Sequence, residues 1–282
     1  MGVHVIAEAG INHNASLEMA LHLIDAGKEA GVDSVKFQKR VPELSVPEDW
    51  WDVPKVPPWG GPSISYLEYK RRMELSEEEY SILLQHGRAL GVEVWASAWD
   101  IPSAEFLLST EPRHIKIPSA KQTDLALLRW ISANAGHTRP VLSTGMGNEE
   151  EMIRAVGILH ENNPVVMHCV SAYPCPVDEL NLAAIPRMKG LWPELTIGYS
   201  GHETGLATTV AAVALGAEWI ERHLTLDRSL PGTDHAASVE PEGFKKLVHD
   251  IRNVEQAMGG GVKAIMPAEE AVIPKLRGRV QI

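Results

Sequence analysis

Lys36 and Gln38 share one side of an apolar run at 34–38, with Val35 and Phe37 on the other. Glu221 and His223 share a side of the run at 219–224, while Gly198, Ser200 and His202 alternate through another run and its exit. Lys116 is followed by Ser119, Ser143 precedes Gly145, and Glu8 is followed by Asn12, His13 and Asn14. Lysine supplies point charge and serine supplies donors. Lys36 and Lys116 with Ser119, Ser143 and Ser200 therefore form a receptor for a small dianion carrying phosphate and carboxylate. The turn Gly145-Met146-Gly147 before the next helix would add backbone N–H groups. His202 and His223, at the ends of neighbouring strands, can converge on a divalent metal that keeps positions open for water or substrate. Burying Lys36, Lys116 and Glu221 for no purpose costs several kcal/mol per ion, so these groups are read as one shared site. His4, His22, His86, His137, His160 and His249 are expected on the surface or on helices, and His168 against the helices.

Those side chains converge only if the runs carrying them close on one another. Short β-branched or apolar runs alternate with amphipathic stretches along nearly the whole chain. Strands are expected at 3–9, 34–38, 92–98, 114–117, 140–144, 165–170, 196–199 and 219–224. Helices are expected from Ser16 as N-cap to Gly31 as stop, then at 76–90, 103–109, 124–133, 149–160, 182–188, 204–215 and 241–258. Eight strands, each followed by a helix, predict an α/β fold of the (β/α)8 TIM-barrel type over residues 1–260, with a tail at 261–282. In such a barrel the chemistry sits at the C-terminal ends of the strands. Residues 41–73 break the rhythm with six prolines, from Pro42 to Pro62, and with Trp50, Trp51 and Trp59. This insertion is expected over that same end, as a lid or a subunit contact.

Composition narrows the class. The chain has 282 residues, 44% apolar and 22% charged, which suits a globular fold. Its 26 basic and 37 acidic residues give a net charge of −11, which argues against nucleic acid as a partner. No apolar run reaches membrane-spanning length and no secretory leader is seen, so a cytoplasmic protein is expected. Cys169 and Cys175 are read as free thiols.

The segments Ala7-Glu8-Ala9-Gly10-Ile11-Asn12-His13-Asn14, Val35-Lys36-Phe37-Gln38, Lys116-Ile117-Pro118-Ser119, Leu142-Ser143-Thr144-Gly145-Met146, the stretch from His168 to Pro174, Gly198-Tyr199-Ser200-Gly201-His202, and Glu221 to His235 together resemble the N-acetylneuraminate (sialic acid) synthase family. The resemblance implies a barrel enzyme that condenses phosphoenolpyruvate with an open-chain aldose to give a 2-keto-3-deoxy sugar acid and phosphate. It implies that Lys36, Lys116, Ser119, Ser143 and Ser200 hold phosphoenolpyruvate. His202 and His223 would bind Mn²⁺, with Mg²⁺ or Co²⁺ as alternatives, and Glu221, Gln38, Tyr173 and Asp234 would face the sugar and the reacting centre. Asn14, Lys121, Ser171 and Gly201 depart from the family pattern, and the family's small C-terminal antifreeze-like domain is not expected here. The changed positions lie on the sugar side, so the reaction class is expected to persist with a different sugar, and Lys121 points to an acidic or phosphorylated one. Pairing into a homodimer is a further expectation. Two other readings compete: a Schiff-base aldolase using Lys36 or Lys116, and a sugar-binding barrel without turnover.

Overall fold

A computed structural model describes residues 2–277. Eight strands, β1 (His4–Gly10), β2 (Ser34–Lys39), β3 (Glu93–Ala98), β4 (His114–Ile117), β5 (Arg139–Ser143), β6 (Val165–Cys169), β7 (Thr196–Gly201) and β8 (Trp219–His223), pair in parallel and close into a barrel in chain order. The (β/α)8 expectation holds, and each strand lies within a residue or two of its expected place. The runs are apolar on both sides because helices cover the outside while the inside is filled by side chains. Ile6, Trp95, Val141, Val165, Met167 and Trp219 plug the lower barrel with apolar groups. A larger apolar layer joins the sheet to the helices.

The helices are α1 (Leu17–Ala30), α2 (Glu77–Leu90), α3 (Ile101–Ser109), α4 (Leu125–Asn134), α5 (Glu149–Leu159), α6 (Ala184–Leu191), α7 (Ala207–Ala214) and α8 (Pro241–Met258). Ser16 caps α1 and Gly31, at φ 81°, ends it in the left-handed conformation that a side chain disfavours. Ser76 and Glu79 form a capping box on α2. Three helices differ from expectation. α3 starts two residues early because the Asp100 carboxylate accepts from Ser103 N and Pro102 fits the first turn. α6 runs later than expected, after a turn closed by Ala184 N and Asn181 O. α7 starts late because Arg222 holds the preceding loop, donating to Glu203 O and to Gly205 O. His4 also departs from the surface-or-helix expectation: it opens β1, stacks on Trp219 at 4.1 Å between ring centroids and meets Ser34 Oγ at 3.0 Å.

The insertion is ordered by its own pairing. The two-residue strands Pro54–Lys55 and Ile64–Ser65 form a ribbon, followed by the helix Tyr66–Met73, whose N-cap is Ser65. Tyr69 and Met73 pack on Ile11 from the β1 exit, which fastens the insertion to the C-terminal end of the barrel. Beyond α8 come two short helices, Pro267–Glu270 and Ile273–Arg277.

Candidate active site

Register sets the neighbours. In the parallel ladder Glu8 lies beside both Lys36 and His223. Ser200 lies beside Glu221 and Cys169, and Ser97 beside Gln38 and Lys116. A layer of charge thus sits directly above the apolar plug. Lys36 Nζ stands 2.5 Å from Glu8 Oε2 and donates to Ser97 Oγ at 2.8 Å. Lys116 Nζ donates to Glu221 Oε1 at 2.5 Å, and Ser200 Oγ donates to the same oxygen at 3.1 Å. Lys36 also approaches Glu221 Oε2 at 3.8 Å, so two ammoniums and two carboxylates form one buried network.

The two carboxylates are not equivalent. Burial pushes the Glu221 carboxyl up, but Lys116 and then Lys36 outweigh it and hold it at about 2. Glu8 is raised, because burial outweighs Lys36 and the neighbouring Glu221 charge adds to the rise. Glu8 is therefore the carboxyl that takes up a proton first. Burial lowers Lys116 despite Glu221.

These groups line a cavity of about 190 Å³ together with Gln38, Trp99, Ser119, Ser143, Cys169, Ser171, Tyr173, His202 and His223. Several polar atoms on its wall are sealed from solvent without a hydrogen bond: Ser143 Oγ, Trp99 Nε1, Glu221 Oε2 and His223 Nδ1. Buried polar atoms left open in one cavity indicate a ligand that completes them. Gly145 shows how tightly one wall is drawn: a Cβ there would meet Ser171 Oγ at 2.3 Å, Ser119 Oγ at 2.8 Å and Cys169 Sγ at 3.2 Å. Gly145 N donates to Ser119 Oγ at 3.1 Å, so this N–H positions a serine.

His202 Nδ1 lies 2.9 Å from Val170 O. A carbonyl only accepts, so Nδ1 carries a proton; burial lowers this imidazole, but the Cys169 charge and hydrogen bond raise it above its ordinary value. Burial lowers His223 to about 3, which keeps that imidazole neutral. The two rings lie 5.3 Å apart between centroids, and Tyr173 covers them at 4.1 Å and 5.7 Å. Among the described residues no three His, Cys, Asp or Glu side chains surround one metal position. His202 and His223 are the two imidazoles of this cavity that could hold a metal, and any other positions would fall to water or substrate. Asp234 Oδ2 stands 3.6 Å from His223 Nδ1, outside hydrogen-bond distance.

Of the residues expected at the site, Lys36, Gln38, Lys116, Ser119, Ser143, Ser171, Tyr173, Ser200, His202, Glu221 and His223 meet at this cavity. Asn14, Lys121 and Asp234, the last expected to face the sugar and the reacting centre, do not line it. Asn14 Nδ2 donates to Pro231 O at 2.9 Å, joining two loops. Lys121 Nζ is drawn 3.6 Å from Asp124 Oδ2, the cap of α4.

The NeuB family model matches residues 23–263. This chain belongs to the NeuB family. It is 37% identical over 277 residues to N-acetylneuraminate-9-phosphate synthase of Homo sapiens, covering 96% of this chain and 76% of that protein. It is 34% identical over 278 residues to N,N'-diacetyllegionaminic acid synthase of Campylobacter jejuni, covering 97% and 82%. The crystal structure of N-acetylneuraminic acid (sialic acid) synthetase from Leptospira borgpetersenii in complex with citrate matches with a TM-score of 0.87 at 29% identity, covering 99% of this chain and 94% of that one.

In this NeuB barrel, sequence reasoning missed Ser97, Trp99 and Cys169 on the cavity wall. Cys169 shares strand parity with Ser171, which was the available signal. Its thiol is held at about 7: burial raises it, and the His202 ring 3.8 Å from the sulfur more than offsets that.

Proposed function

We propose that this chain condenses phosphoenolpyruvate with the open-chain aldehyde of a sugar, forming a 2-keto-3-deoxy sugar acid and releasing phosphate. Membership of the NeuB family supports it, as do relatives named as synthases of N-acetylneuraminate 9-phosphate and N,N'-diacetyllegionaminic acid. The observation that carries it is the meeting of Lys36, Lys116, Glu8, Glu221, His202 and His223 around one cavity of about 190 Å³. Lys36 and Lys116 offset the charge of the phosphorylated acid, and the hydroxyls of Ser119, Ser143 and Ser200 would rotate to donate to its oxygens. An incoming anion competes with both carboxylates for the lysines. Glu8 relieves that competition by taking up a proton, while Glu221 stays ionised.

His202 and His223 would hold a divalent ion, for which we propose Mn²⁺ with Mg²⁺ or Co²⁺ as alternatives; when bound it polarises the aldehyde oxygen. The enol carbon of phosphoenolpyruvate forms the new bond to the aldehyde carbon, leaving cationic character at C2. The ionised Glu221 stabilises that charge while water adds there, and the proton that water loses balances the one taken up by the former aldehyde oxygen as it becomes a hydroxyl. Loss of phosphate from the resulting tetrahedral centre leaves the keto acid, with Lys36 and Lys116 taking the charge of the departing group. Gln38 and Tyr173 line the acceptor side, and the charge of Asp234 acts on His223.

Phosphate release from phosphoenolpyruvate across an aldose panel, with and without Mn²⁺, tests this reading. Release that needs both an aldose and the metal is expected; no release with any aldose would overturn it. The Schiff-base alternative requires a neutral amine, and the burial that lowers Lys116 favours one. Glu221 at 2.5 Å opposes it. Borohydride trapping of an aldehyde adduct without metal would establish that alternative.

A further inference from the structure

The insertion is closed at its neck by the residues on either side of it. Arg40 stands just before residue 41 and Glu74 just after residue 73. Glu74 Oε1 lies 2.8 Å from Arg40 Nε, and Glu74 Oε2 accepts from Arg40 N at 3.1 Å, so one carboxylate holds both the side chain and the backbone of the opposite end. The pair is buried, with 5% and 10% of the two side chains exposed. The guanidinium also stacks 4.4 Å over Trp99, a ring that lines the reaction cavity. Closing a loop would need no more than this.

Arg40 nevertheless reaches further. Its Nη2 donates to Gln38 Oε1, and Gln38 Nε2 donates to Glu8 Oε1 at 3.0 Å. Glu8 Oε2 in turn meets Lys36 Nζ at 2.5 Å. A continuous line thus runs from Glu74 through Arg40, Gln38 and Glu8 to Lys36, joining the neck of the insertion to the buried charge network. Gln38 is the member that needs holding. It is half-buried at the end of β2, and an amide with two ends of nearly one shape can turn over, exchanging acceptor for donor. A guanidinium only donates, so the amide oxygen must face Arg40 and the nitrogen must face Glu8. The surroundings are built for that one arrangement. The Tyr80 hydroxyl donates to Gln38 O and holds the backbone. Gly10 leaves the space: a Cβ there would stand 3.1 Å from Glu8 Oε1 and 3.2 Å from Gln38 Nε2, at a φ of +52° that a side chain disfavours. The planar fork of arginine serves Glu74 and Gln38 together, which the point charge of a lysine does not.

We propose that Arg40 is a positioning residue: clasped by Glu74 across the neck of the insertion, it fixes the Gln38 amide with its nitrogen on Glu8 and its second N–H left for a ligand. Arg40 is not part of the cavity wall and acts through Gln38, which is. A side chain at the rim of a site is held to a productive geometry by neighbours whose own conformations are locked, and the Glu74 pair and the Trp99 ring lock Arg40. The inference rests on the sugar-condensing reading for the identity of the ligand, while the hold on the amide stands apart from it.

Arg40→Met alone strands the buried Glu74 charge, so the test removes both with Arg40→Met and Glu74→Leu. The side-chain amide of Gln38 is read in a proton–nitrogen correlation spectrum of the full chain, assigned by its loss in Gln38→Met. In the wild type one of its protons should be shifted by the Glu8 carboxylate and protected from exchange; in the paired variant both should move toward the values of a free glutamine amide. Arg40→Lys, which keeps a cation beside Glu74 without the second arm, should hold the fold and show the same loss. With an aldose that the enzyme accepts, kcat/KM for the aldose should fall about tenfold to a hundredfold in the paired variant, the cost of a slightly misplaced group, with KM for phosphoenolpyruvate little changed. In a Gln38→Met background the paired substitutions should lower kcat/KM no further. Amide signals that stay unchanged in the paired variant, or an equal fall with and without Gln38, overturn the proposal. Absence of condensation with every aldose would remove the catalytic reading, and the amide spectrum would still decide the positioning.

Discussion

Glu221 joins the network's stability to its chemistry, because among the described residues it is the one carboxylate paired with both lysines. Replacing it with Gln leaves Lys116 buried without a counter-charge, which should cost about 3–5 kcal/mol in urea unfolding. Turnover should fall by about a thousandfold or more, since the cationic centre at C2 loses its stabiliser. The double variant Lys116→Met with Glu221→Leu removes both charges. It should recover most of the stability and none of the activity. Equal destabilisation by the single and double variants would show that the pair does not hold the barrel centre. The pH dependence has a definite sign. A carboxyl held at about 2 in the folded chain contributes stability that is complete above its ordinary range and lost as pH falls toward that value. Glu8, raised by burial, contributes in the opposite direction. Glu221→Gln should therefore flatten the acid limb of the stability curve. At this scale the sequence reveals charged residues well, because a lysine at an inward strand position has a cost that demands a partner. It reveals Ser97 and Cys169 poorly, because a small side chain inside a barrel is equally at home as filling.

Asp100 ties two elements together with one carboxylate. Its Oδ1 accepts from Ser103 N at 2.8 Å, capping α3, and its Oδ2 accepts from Val41 N at 2.7 Å, where the insertion begins. Asp100→Ala should cost about 1–2 kcal/mol as a lost cap. It should also loosen the start of the insertion, seen as faster limited proteolysis within residues 41–73. Asp100→Asn, which keeps a side-chain acceptor, should recover much of the cap. Stability lost without faster cleavage in the insertion would separate the two roles. The same residue shows where local sequence signals stop: the cap of α3 stands before Ile101 and Pro102, which read as a continuation of the loop, so the helix was placed two residues late. Ser16 and Asp124 directly precede apolar positions, Ser76 precedes an acidic first turn of three glutamates, and all three starts were legible. Asn14 and Lys121 were expected at the sugar side because they depart from the family pattern, and local structure places them elsewhere. Each lies just past a strand end, where parity no longer fixes direction, and a local partner, Pro231 O or the cap Asp124, took the side chain.

Across the whole molecule, closure of eight strands converts eight separate stretches of sequence into one cavity. That closure was legible because the alternation of strand and helix repeats through the chain, whereas the ribbon and helix inside the insertion were hidden by its prolines. Closure also means that a ligand held by two distant strands must stabilise the entire fold. His202 follows β7 and His223 ends β8, and an ion bridging their imidazoles binds the folded chain and not the unfolded one. Mn²⁺ at about a hundred times its Kd should therefore add about 2.7 kcal/mol to unfolding. For a chain of this length that raises Tm by roughly 5 °C. His202→Ala combined with His223→Ala should abolish the rise, and chelator should reverse it in the unaltered protein. Asp234→Asn, which keeps a polar group 3.6 Å from His223 Nδ1 but removes its charge, should reduce the rise without eliminating it. A shift that survives loss of both imidazoles would place the ion elsewhere on this acidic surface, and the proposed metal position would be wrong.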